Sequence, residues 1–169
     1  DRLQQIVDWS ISKGLVTIID FHGAKLKEKF LYTFDQSNIN GVNYYSEPTS
    51  AKRIADLNKF QAIWRDIAER FKDYPETLLF EIFNEPYFWL SANEISTISS
   101  DIINIVRSSG SNNESRKIII TGGDTTSWEV IFQIPNDLIN SDPNLIATFH
   151  YYQPMNFTSS MQENYNNFN

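Results

Sequence analysis

Hydrophobic residues follow two different spacings along this chain. Largely apolar segments that begin at residues 15, 78, 117 and 144 predict four short strands, the second of which must stop at Pro86. Elsewhere, apolar residues recur every three or four positions over 6–15, 50–71 and 92–107, and a shorter stretch of this kind covers 127–132. This second spacing predicts helices, and Gly14 and Gly110 mark the ends of two of them.

The predicted order is a helix followed by a strand, four times over. Such alternation is typical of βαβ units around a parallel sheet, and strands this apolar predict cover on both faces. An open doubly wound sheet would suit 169 residues, but no glycine-rich phosphate loop follows any strand, so a nucleotide-binding domain is unsupported. The alternative is part of a (β/α)8 barrel, which as a whole needs about 250 residues.

The composition excludes several classes of protein. Hydrophobic residues make up 41% of the chain and charged residues 21%, as in globular proteins. The net charge of -7 argues against a nucleic-acid partner, and no apolar run approaches the ~20 residues that span a membrane. Cysteine is absent, and the two histidines and scattered carboxylates form no ligand pattern. We therefore expect neither a metal nor a cofactor.

Polar side chains follow three of the four predicted strands. His22 ends the first, Asn84 and Glu85 end the second, and His150 and Tyr152 end the last. A single histidine or tyrosine at such a place is more often a hydrogen-bonded structural residue. Because the carboxyl ends of parallel strands meet at one edge of a sheet, the group as a whole predicts a functional site.

One detail of this group conflicts with regular strand geometry. Asn84 and Glu85 are adjacent, so an ideal strand would point their side chains to opposite faces. Both reach one site only if the strand end is bulged or turning, and we predict that irregularity. Glu81 has the same parity as Glu85 and is expected to lie deeper, as a structural ion-pair partner rather than a catalyst.

Three segments of the chain resemble glycoside hydrolase family 5, the cellulase family. They are residues 64–75 with the 80–86 run that ends in Asn-Glu-Pro, the 19–22 strand end, and residues 149–158 with their His-x-Tyr pattern. Asn-Glu-Pro alone recurs in several related barrel glycosidases. Its combination with His-x-Tyr two strands later is much more specific, and the resemblance extends to residue 158.

The resemblance implies a (β/α)8 barrel, of which this chain covers roughly the second helix to the sixth strand. It implies retaining hydrolysis of a β-linked polysaccharide, with Glu85 as the general acid/base. The matching positions imply a contact of Asn84 with the sugar 2-hydroxyl, a subsite lined by His22, and a pair, His150 and Tyr152, that positions substrate and nucleophile. Trp89 could stack on a sugar ring, although ordinary loop packing is an equal alternative.

The family's nucleophile is a glutamate at the end of the seventh strand, beyond this sequence. Asp124, Glu129 and Glu163 are not expected to replace it. Residues 1–158 are thus interpreted as a partial catalytic domain, and 159–169 as a polar tail or a loop leading to that strand. The rest of the barrel, in the same or another chain, is the expected partner, and the segment alone is expected to be inactive.

Several functions stay open at this point. The leading hypothesis is an endo-β-1,4-glucanase acting on β-glucan. The main alternative is a mannanase or another β-glycanase of the same family. A catalytically silent fragment that binds sugar or only assembles is a second class, and a metabolic barrel acting on phosphorylated substrates is a third. The resemblance alone suggests a secreted, extracellular protein.

Two tripeptides match the acceptor pattern for N-glycosylation. They begin at Asn113 and Asn156. The pattern is short and often coincidental, and we expect the second to be unmodified because it lies beside the predicted site.

Overall fold

The computed structural model describes residues 1–22, 51–85, 92–122, 128–152 and 158. Its helices are α1 (Arg2–Ser12), α2 (Ala51–Phe71), α3 (Ala92–Ser108) and α4 (Asn136–Ser141), with 3-10 turns at Ser111–Glu114 and Trp128–Gln133. Its strands are β1 (Thr17–Asp20), β2 (Leu78–Glu81), β3 (Ile118–Ile120) and β4 (Leu145–Ala147). The predicted alternation of helices and strands is confirmed.

The four strands form one parallel sheet in the order β1-β2-β3-β4. Each strand therefore lies beside the strand that precedes it along the chain. In a doubly wound sheet the order reverses at a switch point, whereas in a (β/α)8 barrel the strands follow one another around the ring. The observed order is that of a barrel segment.

The helices cover one face of this sheet with regularly spaced apolar side chains. In α2 the fully buried residues lie four, four and three positions apart: Phe60, Trp64, Ala68 and Phe71. In α3 four buried apolar residues lie three, four and four positions apart, with Ile103 buried beside them: Ile95, Ile98, Ile102 and Val106. They pack on the strand residues that face them, Ile19, Leu78, Phe80, Ile118 and Ile120. The apolar face of each helix packs α2 and α3 onto the sheet.

The opposite face of the sheet is only partly covered within the described parts of the chain. There Ile18 is 48% exposed and Ile146 is 37% exposed, Leu79 and Glu81 are partly buried, and Ile119 is buried. The predicted cover on both faces is therefore wrong for Ile18 and Ile146, at the two outer strands of the described sheet. In a closed barrel this face is the interior, which is filled by side chains from all the strands around the ring.

Two details near the end of the chain differ from the sequence prediction. The strand predicted over 144–152 ends at Ala147, and Thr148 donates one more backbone hydrogen bond to the Ile120 carbonyl at 2.9 Å. The helix α4 was not predicted, because only two of its six residues, Leu138 and Ile139, are apolar. That is too few to reveal a helical period.

A buried arginine joins the elements at the end of the sheet where β2 begins. Arg116 is 1% exposed, and its guanidinium lies 5.0 Å from the centre of the Phe80 ring. All five of its N–H groups are used: Nε donates to Asn113 Oδ1, and the two Nη atoms donate at 2.6–3.0 Å to four backbone carbonyls. These carbonyls belong to Phe71, Tyr74, Pro75 and Leu78.

Burial lowers the pKa of Arg116 to about 10, with a smaller contribution from the positive charge of Arg107. The group therefore stays charged at neutral pH. Its partners are dipoles rather than carboxylates, so the arginine holds the end of α2 and the start of β2 by hydrogen bonding.

The same cluster contains Asn113, the asparagine of the first glycosylation tripeptide. Asn113 is fully buried, and its side-chain nitrogen donates to the Ala68 carbonyl at 2.9 Å and to the Ser109 hydroxyl at 2.8 Å. In the folded protein this nitrogen is thus inaccessible to a glycan-transferring enzyme.

Replacing Arg116 tests this account of the fold. Arg116→Ala is expected to lower the free energy of unfolding by at least about 3 kcal/mol, since each buried acceptor left without its donor costs ~1–3 kcal/mol. Urea unfolding of the full-length protein measures the effect. Arg116→Lys, with three donors, should lose less.

The exposed Arg65 on α2 provides the control, and Arg65→Ala should change stability by no more than about 0.5 kcal/mol. An Arg116→Ala variant as stable as that control would contradict the structural role given to Arg116.

Candidate active site

The predicted site residues lie where the strands end, and the chain turns sharply there. β2 ends at Glu81, and three residues later the Asn84 N–H donates to the Phe21 carbonyl at 3.2 Å. Glu85 then has a φ of 34°, a left-handed conformation that is uncommon for residues other than glycine. The predicted irregularity after the strand is confirmed. It allows two adjacent side chains to serve one edge of the sheet.

Glu85 contacts both predicted residues of the last strand end. Its Oε1 atom lies 2.6 Å from His150 Nδ1, and the Tyr152 hydroxyl donates to the same oxygen. The Glu85 side chain is 13% exposed and that of His150 is 32% exposed. A carboxyl group at the rim of the sheet is therefore held by two side chains from the segment that follows β4, and β4 lies two strands away from β2.

Asn84 contacts the predicted residue of the first strand end. Its side-chain nitrogen lies 3.5 Å from His22 Nε2, and His22 Nδ1 lies 3.3 Å from Asp20 Oδ2. Asn84 is buried, whereas the His22 side chain is 71% exposed. The structure thus brings together Asn84 with His22, and Glu85 with His150 and Tyr152. Asp20 is the member of this group that the sequence analysis did not single out.

Glu81 occupies the open face of the sheet below these residues, beside Asp20 in the register of β1 and β2. Burial raises the pKa of Glu81, and the neighbouring Asp20 raises it further. His150 and His22 make smaller contributions that lower this pKa. Among the described residues no ion pair joins Glu81 to another side chain, and the structural ion pair expected for it stays a prediction. One of its two register partners on the neighbouring strands, Asp20, is a second carboxylate.

Some predicted residues lie outside the described ranges. Trp89, Asp124, Glu163 and the second glycosylation tripeptide up to residue 157 are among them. Glu129 lies in the 3-10 turn Trp128–Gln133. In the described parts of the chain, no three His, Cys, Asp or Glu side chains are grouped as metal ligands would be. None of the helices described is long and apolar enough to cross a bilayer.

This fold and this edge of the sheet define the chain as a segment of a (β/α)8-barrel enzyme. A family model, Cellulase (glycosyl hydrolase family 5), matches residues 1–169, and the chain belongs to that family. The resemblance found in the sequence is therefore confirmed, as is the fold class.

Individual relatives agree with this assignment. Endoglucanase H of Acetivibrio thermocellus is 39% identical over 159 residues, which are 94% of this chain and 14% of the relative. A solved endoglucanase is 31% identical and superposes with a TM-score of 0.71 over 96% of this chain and 43% of its own. A xyloglucan-specific endo-β-1,4-glucanase from a metagenomic library, solved with cellotriose, is 30% identical with a TM-score of 0.68, over 92% and 44%. The chain thus spans less than half of each.

The raised pKa of Glu81 predicts a specific pH dependence of stability. Between the ordinary carboxyl value of 4.5 and the raised one, the folded state binds more protons than the unfolded chain, so stability falls as the pH rises through this window. Glu81→Gln removes this titration. We expect the variant to gain stability relative to wild type as the pH rises above 4.5 and the gain to level off once the raised pKa is passed.

Urea unfolding of the full-length protein across this pH range measures the difference. Glu76→Gln changes an exposed residue just before the same strand and should show no such trend. A difference between Glu81→Gln and wild type that shrinks with rising pH would contradict the assignment.

Proposed function

We propose that the protein containing this chain is an endo-β-1,4-glucanase that hydrolyses β-glucan with retention of configuration, with Glu85 as its general acid/base. The observation that carries the proposal is the placement of the Glu85 carboxyl. It stands at the C-terminal edge of the sheet, is 13% exposed, and is contacted by His150 and Tyr152. Catalytic groups of barrel enzymes lie at this edge.

Retaining hydrolysis needs two carboxyl groups, about 5–5.5 Å apart. In the first step the nucleophilic carboxylate bonds to the anomeric carbon while Glu85 gives its proton to the glycosidic oxygen, and the leaving sugar departs. In the second step the Glu85 carboxylate takes a proton from water, whose oxygen bonds to the anomeric carbon and releases the nucleophile. We expect the nucleophile on the seventh strand of the barrel, outside this sequence.

The contacts of Glu85 suit a group that alternates between acid and base. Two polar side chains converge on one of its oxygens, and this fixes the plane of the carboxyl group relative to the sheet edge. A general acid must lie within hydrogen-bonding reach of the oxygen that it protonates, so a fixed carboxyl plane is an advantage. We propose that His150 and Tyr152 also position the substrate and the nucleophile, in line with the family resemblance.

The substrate class is inferred from the relatives. They include endo-β-1,4-glucanases, among them structures solved with cellotriose and with cellotetraose. We propose that this protein likewise binds β-1,4-linked glucan and that His22 and Trp89 line its substrate-binding cleft. Because intact polysaccharide does not enter cells, we propose that the enzyme acts outside the cell.

The acid/base role predicts that a Glu85→Gln variant loses far more activity on some substrates than on others. Hydrolysis of cello-oligosaccharides should fall by about 10²–10⁴-fold, because the leaving sugar needs protonation. Release of dinitrophenolate from an aryl cellobioside should be far less affected in the first step, since that leaving group departs without a proton. Steady-state and burst kinetics on the full-length enzyme measure both rates.

Glu76→Gln, a matched change at an exposed site before β2, should leave both rates at the wild-type level. Binding of cello-oligosaccharides to Glu85→Gln, measured by calorimetry, should persist. Unchanged turnover of cello-oligosaccharides by Glu85→Gln would rule out the proposed role.

Retention of configuration is tested separately by following the first product. Proton NMR of a cello-oligosaccharide digest should show the β-anomer of the new reducing end first, with the α-anomer appearing only as mutarotation proceeds. An α-anomer formed first would show inversion, which requires carboxyl groups about 6.5–9.5 Å apart and a different partner for Glu85.

A further inference from the structure

A line of three polar side chains runs from the end of β1 to the residue before Glu85. Asp20 Oδ2 lies 3.3 Å from His22 Nδ1, and His22 Nε2 lies 3.5 Å from the Asn84 side-chain nitrogen. We propose that Asp20 is a positioning residue: it selects the tautomer of His22 and thereby holds the side-chain amide of Asn84 in place for substrate binding. The inference builds on the proposed function and adds a residue to its site.

The chemistry of the three groups determines how the protons are arranged. A primary amide nitrogen only donates hydrogen bonds, so His22 Nε2 must be the acceptor for Asn84. A neutral imidazole with a lone pair on Nε2 carries its hydrogen on Nδ1. That hydrogen points to a carboxylate oxygen of Asp20, which is an acceptor when ionised. Each donor in the line thus meets an acceptor.

The His22 ring depends on these contacts for its orientation. Its side chain is 71% exposed, so packing contributes little to holding the ring in place. Asp20 stands on β1, and its side chain is only 25% exposed. The carboxylate is therefore the more firmly placed partner. Without this carboxylate, the tautomer with hydrogen on Nδ1 is no longer favoured. Nε2 then carries the hydrogen more often and loses its ability to accept from Asn84.

Asn84 is the residue through which this effect reaches the site. Its backbone N–H is already bonded to the Phe21 carbonyl, so the main chain is fixed to the end of β1. What remains to be set is the rotation of its buried side-chain amide, which His22 sets by accepting from the nitrogen. In metal sites, mutating a residue that orients a metal ligand commonly lowers affinity or activity by about 10–100-fold, and we take this as the scale for Asp20.

Nitrogen-15 NMR of the histidine side chains tests the proposal directly in the full-length protein. At a pH where His22 is neutral, the wild type should show the tautomer with hydrogen on Nδ1. Asp20→Ala should shift the population toward hydrogen on Nε2, while Asp20→Asn, which keeps an acceptor oxygen, should largely preserve the wild-type tautomer. Asp66→Ala, at an exposed site on α2, is the matched control and should change nothing.

Kinetics add a second readout. Asp20→Ala should lower kcat/KM on cello-oligosaccharides by about tenfold or more, and Asp20→Asn should recover most of that loss. A wild-type His22 with hydrogen on Nε2 would overturn the proposal without any variant. So would an Asp20→Ala protein whose His22 tautomer is unchanged. Neither NMR result depends on whether Glu85 is the acid/base, so a failure of the proposed function remains distinguishable from a failure of this inference.

Discussion

The site depends on one backbone constraint: two adjacent residues after β2 must both serve the same edge of the sheet. A regular strand cannot do this, because its side chains alternate between faces. The chain leaves the strand geometry after Glu81, and Glu85 adopts a φ of 34°. Non-glycine residues hold such conformations at a cost of about 1–3 kcal/mol, and such strain is concentrated at functional sites. Asn84 then reaches β1, and Glu85 reaches the end of β4.

The two ends of the sheet differ in how their polar groups are bonded. Where β2 begins, Arg116 uses all five of its donors on Asn113 and on backbone carbonyls around the end of α2. Where β2 ends, the polar groups are more exposed, and they gather around carboxyl groups instead. A barrel that fixes its strands firmly at one end can carry a strained, polar arrangement at the other. The proposed chemistry lies at the second of these ends, beside Glu85.

Part of this arrangement could be predicted from the sequence, and the missing parts share a physical reason. The apolar spacing of α2 and the strand-like run before Asn84 are local signals, and adjacency alone revealed that the strand end must turn. The length of β4 is not local: Phe149 and Tyr151 favour strands, yet pairing stops with the short β3 beside it. The burial of Arg116 and the contact of Asp20 with His22 likewise depend on neighbours distant in sequence.

The central claim, that Glu85 is the acid/base and the nucleophile lies on another strand, can be tested by trapping the covalent intermediate. A 2-deoxy-2-fluoro cellobioside with a good leaving group slows the second step more than the first, so the sugar stays bonded to the nucleophile. Mass spectrometry of peptides from the full-length enzyme then identifies the labelled residue. The account predicts a label on a carboxylate outside residues 1–169 and none on Glu85. A sugar bonded to Glu85, Asp20 or Glu81 would contradict it.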